Sequence, residues 1–174
     1  NHYHTILEAI SLINDGKFSE AILYWDQVLR DIPEYADAYY FRGICYIRLT
    51  KNQRFLEEYL EYGRKAYDDF TAAINLNPYQ GNYYSKRVDA LDVLKSEQTF
   101  ISDMDPIFDQ ILEDILEAYA LGNYYAWGTR SVGIALLNTG RCEESLDYLL
   151  RLEEERGPDA DPSATINGTL ASCY

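Results

Sequence analysis

The sequence is poor in the residues that usually carry chemistry at an active site. Its two histidines, His2 and His4, stand at the start of the chain, and its three cysteines form no group with metal-ligand spacing. Asp103 and Asp105 form a DxD pair, but Asp105 directly precedes Pro106, where an aspartate commonly caps a helix. No glycine-rich phosphate loop follows a strand pattern. The sequence therefore predicts no catalytic site, no metal and no cofactor.

Basic residues are also scarce. Lys and Arg number 15 against 29 Asp and Glu, which gives a net charge of −14. A protein that binds nucleic acid needs a basic face to displace counterions, so nucleic-acid binding is not expected. No apolar run approaches the ~18 residues that a membrane helix needs, so membrane insertion is not expected either.

The cysteine content indicates which cellular compartment to expect. Cys45, Cys142 and Cys173 are odd in number and far apart, so we expect no disulfide framework, and a cytoplasmic location is the default prediction. Because the first residue is Asn and not Met, the removal of an N-terminal targeting segment stays open. Asn167, Gly168 and Thr169 form a glycosylation sequon by pattern, which matters only in a secreted protein.

Most of the chain instead carries the apolar spacing of amphipathic helices. The clearest example begins with a turn at Gly16 and ends at Pro33, which cannot continue a helix. Its apolar stripe includes Ala21, Trp25 and Val28. The order is a small residue, an aromatic residue four positions later, a further position that is usually small, and then a proline. The stretch thus resembles the second helix of the tetratricopeptide repeat family, with Val28 where Ala is usual.

Further copies are expected, because one helix pair cannot bury its apolar face. Gly43 fills the family's glycine slot, and we attribute it to close packing of the paired helix, since a helical glycine costs about 1 kcal/mol relative to alanine. Arg42 stands where Leu is usual. The second and third repeats are each 45 residues long and align without gaps. Their nine identical pairs include Arg42/Arg87 and Asp69/Asp114, which indicates a duplicated unit.

Both long repeats exceed the family's length of about 34 residues by close to three helical turns. In the third repeat, Asp105 and Pro106 predict the start of the second helix, so we assign the extra length mainly to the first helix or its loop. By the same alignment, the second repeat breaks near residues 61–63. A continuous second helix from Gln53 to Leu76 is the alternative.

The resemblance implies an all-α fold, a right-handed α-α superhelix of helix hairpins, as a single solenoid domain over residues 1–174. The predicted segments, in chain order, are repeats at about 2–35, 36–80, 81–125 and 126–159, then a capping or fifth-repeat helix over 160–174.

In this family the first helix of each repeat lines a concave groove that holds a peptide. The resemblance therefore implies a groove here that is apolar and aromatic at one end, polar in the middle and mixed at the other end. The candidate residues are Tyr40, Phe41, Ile44, Ile47, Arg48, Lys86, Asp89, Trp127, Arg130 and Ile134. The alternative is that these residues pack on another part of the chain. Some members clamp the C-terminal carboxylate of chaperones, but of the corresponding positions only Lys86 is positive here, so that mode is not expected.

The predicted function is a non-catalytic scaffold that binds a protein or peptide partner in this groove. The first alternative is a self-associating assembly subunit, a homo-oligomer whose groove is filled by its own chain. An accessory domain of an enzyme is the second alternative.

Overall fold

The structure is a computed structural model that describes residues 2–95, 105–123, 136–137 and 140–147. The chain forms two compact units, residues 1–99 and residues 100–174. The described residues of both units contain helices and no strand. Three of the predicted groove residues, Trp127, Arg130 and Ile134, lie outside the described residues, as does the capping segment over 160–174. That one solenoid runs through both units remains a prediction.

The described part of the first unit contains five helices. They are α1 (His2–Asn14), α2 (Phe18–Asp31), α3 (Ala36–Thr50), α4 (Leu56–Leu76) and α5 (Gly81–Leu94). Each packs on the next helix along the chain, and α3 also contacts α5. In the second unit, α6 covers Asp105–Ala120, and residues 136–137 and 142–147 are helical too.

The buried core confirms the spacing of small and aromatic residues on the second helices. Ala21, Trp25 and Val28 of α2 are fully buried together in one apolar cluster. On α4, Ala66 and Phe70 are fully buried as well. Small residues at these positions let each helix pack closely against its neighbours. They therefore set the distances between the helices that carry the candidate site.

Gly43 is explained by close helix packing, as predicted. A Cβ atom at this position of α3 would lie 2.8 Å from Cε1 and 3.0 Å from Cζ of the Phe70 ring on α4. Real Cβ atoms do not approach other atoms so closely, and Phe70 is fully buried, so a side chain at position 43 would displace the ring.

The predicted break of the second repeat near residues 61–63 is wrong. Helix α4 runs without interruption over Leu56–Leu76, 21 residues, so the alternative of a continuous second helix holds, although it begins at Leu56 and not at Gln53. Gly63 lies inside α4, and a Cβ there would be 2.5 Å from Cγ1 of Val93 on α5. The glycine therefore serves the crossing of α4 and α5 and does not end a helix.

The third repeat agrees with its predicted second helix. Helix α6 covers Asp105–Ala120, where the Asp-Pro pair predicted a helix. Helix α5 has 14 residues and ends at Leu94, so the extra length of this repeat is not found in a longer α5. The extra residues of this repeat come after α5 in the sequence, and most of them lie outside the described residues.

The cysteines differ in state. Cys45 is a free thiol that is fully buried in α3. Burial raises its pKa to about 12, so the thiol is chemically inert in the folded protein. Cys142 is disulfide-bonded, a bond that the sequence analysis, which expected no disulfide framework, did not predict. Among the described helices, none combines the length and the apolar character that crossing a bilayer requires.

Candidate functional site

Helices α3 and α5 are the first helices of the second and third repeats, and they touch each other. We name the residues predicted to line the groove on these two helices, Phe41 apart, the first-helix surface: Tyr40, Ile44, Ile47 and Arg48 of α3, and Lys86 and Asp89 of α5. Spacings of three and four residues place Tyr40, Ile44 and Ile47 on one face of α3. All the members are half-buried except Arg48, which is exposed.

The apolar half of this surface is anchored to the core. Tyr40, Ile44 and Ile47 pack partly on the buried cluster of Ala66, Phe70 and Ala90. The Tyr40 ring lies 6.1 Å from the Phe70 ring and 5.0 Å from that of Tyr83 on α5. Ring separations in this range are attractive for aromatic pairs. The apolar side chains of this surface are thus fixed by contacts with the core and remain partly exposed to solvent.

Phe41 differs from its neighbours on α3. Its ring stacks on Trp25 of α2 at 5.3 Å with an interplanar angle of 13°, and it packs on the cluster around Ala9 and Val28. One face of the ring is therefore used in the α2–α3 contact, so truncation of Phe41 would disturb the fold together with any binding.

The polar half of the surface is internally paired. On α5, Lys86 Nζ lies 2.7 Å from Asp89 Oδ2, with both side chains partly exposed. Pairs of this kind contribute little to stability because water screens them. Beside them, the Tyr83 hydroxyl donates a hydrogen bond to Asp37 Oδ1 at 2.5 Å, which joins α5 to α3. Burial and this bond raise the pKa of Tyr83, so it stays neutral and serves as the donor.

A half-buried ion network under α3 is the main feature that the sequence analysis missed. Arg42 donates from Nε and Nη2 to the two carboxylate oxygens of Asp69 at 2.9 and 2.6 Å, and from Nη1 to Asp26 at 2.6 Å. Burial disfavours its charge, but the bonds to both carboxylates outweigh this effect and raise the pKa of Arg42. This guanidinium therefore joins three helices, α2, α3 and α4.

The third repeat carries part of the same network at the same relative positions. Arg87 donates from Nη1 to Thr71 Oγ1 at 3.2 Å, and Thr71 lies 45 positions after Asp26. The guanidinium of Arg42 lies 5.6 Å from the centre of the Tyr39 ring, and that of Arg87 lies 5.9 Å from the Tyr84 ring. The signal was present in the sequence, because an Arg in a slot that usually holds Leu recurs in the duplicated unit.

The described residues offer no metal site. None of their His, Cys, Asp and Glu side chains form a group able to hold an ion. His2 lies 3.4 Å from Asp31, through its Nδ1 atom.

Comparison with known proteins agrees with the helix pairing. A family model described as tetratricopeptide repeat matches residues 6–73, from α1 into α4. The matched segment, under half of the chain, is thus similar to tetratricopeptide repeats. No curated protein matches it significantly.

Solved structures of tetratricopeptide repeat proteins resemble this chain in fold. YrrB, described as having an unusual peptide-binding site, superposes with a TM-score of 0.74 at 20% identity, over 98% of this chain and 77% of YrrB. A thermophilic protein of Thermus thermophilus gives a TM-score of 0.63 at 17% identity, over 98% and 82% of the two chains. MamA of Desulfovibrio magneticus gives 0.66 at 16% identity, over 92% and 78%. The predicted class, an all-α solenoid of helix hairpins, is confirmed.

Proposed function

We propose that this protein is a non-catalytic scaffold that holds a peptide segment of a partner protein against the first-helix surface. Tetratricopeptide repeat proteins generally act as scaffolds for protein interactions. The observation that carries the proposal is the half-buried apolar row of Tyr40, Ile44 and Ile47, which lies on the helix that contacts α5 and is supported by the core. YrrB, which shares the fold, is described as having a peptide-binding site.

The mechanism is the burial of partner side chains against this row. Burial of apolar area contributes about 25 cal/mol per Å² removed from water, so two or three inserted side chains supply the main favourable term. A surface already held in place loses little conformational entropy when the partner binds. Arg48, Lys86 and Asp89 flank the row and would fix the direction of the peptide. Trp127, Arg130 and Ile134 remain predicted members of the groove at the fourth repeat.

We expect Ile44→Ala combined with Ile47→Ala to weaken partner binding at least tenfold while the domain stays folded. Truncated anchors at an interface commonly cost about 1 kcal/mol or more each. The partner would be captured from source lysate with wild-type protein, identified, and titrated against both proteins by calorimetry, with circular dichroism as the folding check.

The matched control is Leu23→Ala, which removes an apolar side chain that is 66% exposed on α2. It should leave the affinity unchanged. An equal loss of melting temperature and affinity in the Ile44 and Ile47 variant would show that these residues are core and would contradict the proposal. Light scattering on the same samples tests self-assembly, because a concentration-dependent oligomer lost in this variant would favour the assembly subunit instead.

A further inference from the structure

The connection between α3 and α4 carries exposed residues that neither the fold nor the first-helix surface uses. We name Lys51, Arg54, Phe55 and Leu56 the α3–α4 patch. Phe55 is 69% exposed and Leu56 57% exposed, and both cations are exposed as well. Exposed apolar groups grouped in this way usually mark an interaction site.

This connection is ordered, because hydrogen bonds hold it to the last turn of α3. The Asn52 amide donates to Leu49 O at 3.2 Å and the Gln53 amide donates to Thr50 O at 3.1 Å. The side chain of Gln53 donates to Leu49 O as well, at 3.2 Å. The patch is thus presented on a fixed backbone.

The charges of the patch are unpaired. Within the described part of the chain, the side chains of Lys51 and Arg54 meet no acidic group. Arg48, one turn earlier on α3 and a member of the first-helix surface, is unpaired there as well. Cations near a helix C-terminus complement its dipole, which accounts for Arg48 and Lys51 in part. It accounts neither for Arg54 nor for the exposed Phe55. The acidic surface resumes at Glu57 and Glu58, which bound the patch.

We propose that the α3–α4 patch is a second docking site, separate from the first-helix surface, for an acidic peptide segment with apolar anchors. Lys51 and Arg54 supply the attraction to a short acidic segment, because salt screens the more distant acidic groups of the chain beyond about 8–10 Å. Phe55 and Leu56 supply the apolar contact.

Anionic membranes and nucleic acids fit the patch less well. Recognition of anionic lipid takes clusters of about four to eight Lys and Arg residues, and the patch with Arg48 has three. The remaining surface is strongly acidic, so a bilayer or a phosphate backbone would repel the rest of the molecule.

The test is retention of the whole chain on an array of synthetic peptides in which Asp, Glu, Leu and Phe are permuted. A second array carries Lys and Arg in place of the acidic residues, and vesicles of phosphatidylserine and phosphatidylcholine form a third arm. We expect binding to peptides of the first array, lost at high salt. Affinity measured on the retained peptides should fall about tenfold in Lys51→Glu combined with Arg54→Glu, since each exposed ion pair contributes up to about 1 kcal/mol.

Two variants make the result specific. Phe55→Ser combined with Leu56→Ser should also abolish retention, whereas Lys17→Glu combined with Arg30→Glu, the same charge change at exposed sites of α2 and the turn before it, should not. The Ile44→Ala and Ile47→Ala variant should bind as wild type, which separates this site from the groove. Absence of binding to the acidic array, equal loss in the control variant, or capture by the vesicles instead of the peptides would each overturn the proposal.

Discussion

Replacement of Arg42 by Leu is expected to lower the free energy of unfolding by about 3 kcal/mol at neutral pH. Leu is the usual residue of the family at this position, so the helix and its packing tolerate the shape. The loss arises because Asp69, whose side chain is 6% exposed, then keeps its charge without the guanidinium that binds both of its oxygens. Removal of one partner of a buried ion pair typically costs about 3 to 5 kcal/mol, and the 21% exposure of Arg42 places this case at the low end.

The pH dependence of this loss follows from Asp69. Burial raises the pKa of Asp69, and the hydrogen bonds and the charge of Arg42 lower it in part. Without Arg42 the folded-state pKa rises further above the unfolded value, so the folded variant binds protons more strongly than its unfolded chain. The contribution of Asp69 to the stability of Arg42→Leu is therefore greatest below the unfolded pKa of about 3.9 and is lost as pH rises through the folded pKa. We expect the deficit relative to wild type to be smaller at about pH 4.5 than at neutral pH.

Urea unfolding of four variants, Arg42→Leu, Arg48→Leu, Asp69→Ala and the Arg42→Leu/Asp69→Ala double variant, tests this account. Arg48→Leu, at an exposed position of the same helix, should change stability by less than about 0.5 kcal/mol. The double variant Arg42→Leu/Asp69→Ala should be more stable than the sum of the two single changes predicts, because it no longer contains the buried, unpaired carboxylate of Asp69. A wild-type stability for Arg42→Leu, or strict additivity in the double variant, would show that the network does not join the helices.

Gly63→Leu is expected to destabilise the protein by about 3 kcal/mol through packing alone. The Cβ atom would lie 2.5 Å from Val93 Cγ1 and 3.1 Å from Val93 Cβ, and the Val93 side chain is buried, with 6% exposure. Leu is a better helix former than Gly by close to 1 kcal/mol, so helix propensity opposes the loss. Thermal and urea unfolding measure the difference.

The control for Gly63→Leu is Glu58→Leu, at an exposed position of the same helix, which should stay within about 0.5 kcal/mol of wild type. A second pair tests the contact itself. Gly63→Ala combined with Val93→Ala should cost less than the two single changes together, because the shortened side chain at position 93 relieves the collision. If Gly63→Leu folds with wild-type stability, α4 and α5 do not cross closely at this residue.

The starts of α3 and α5 were predictable because they depend on local chemistry. Helices α3 and α5 begin at Ala36 and Gly81, the predicted starts, since each follows a proline turn that ends the preceding helix. The core positions Trp25 and Phe70 were predictable as well, because the periodicity of an amphipathic helix places them on the packed face. These features require no knowledge of distant contacts.

What the sequence alone did not reveal concerns residues whose roles depend on another helix. Gly63 has the local character of a helix break, and only its approach to Val93 explains why α4 continues through it. Phe41 has the spacing of a groove residue, but its ring stacks on Trp25. Arg42 was visible as an unusual residue, but its partners Asp26 and Asp69 are 16 and 27 positions away. Sequence spacing within one helix does not encode such pairs.

Site-specific photocrosslinking tests the central claim, that a partner binds the surface of α3 and α5, most directly. The photoreactive residue p-benzoylphenylalanine would replace Ile44 or Asp89 on the first-helix surface and, as matched controls, Leu23 on α2 or Asp68 on α4, which are exposed. We predict adducts with the captured partner from positions 44 and 89 and none from positions 23 and 68. Adducts from the α2 and α4 positions alone would contradict the proposed groove and place the partner on the second helices.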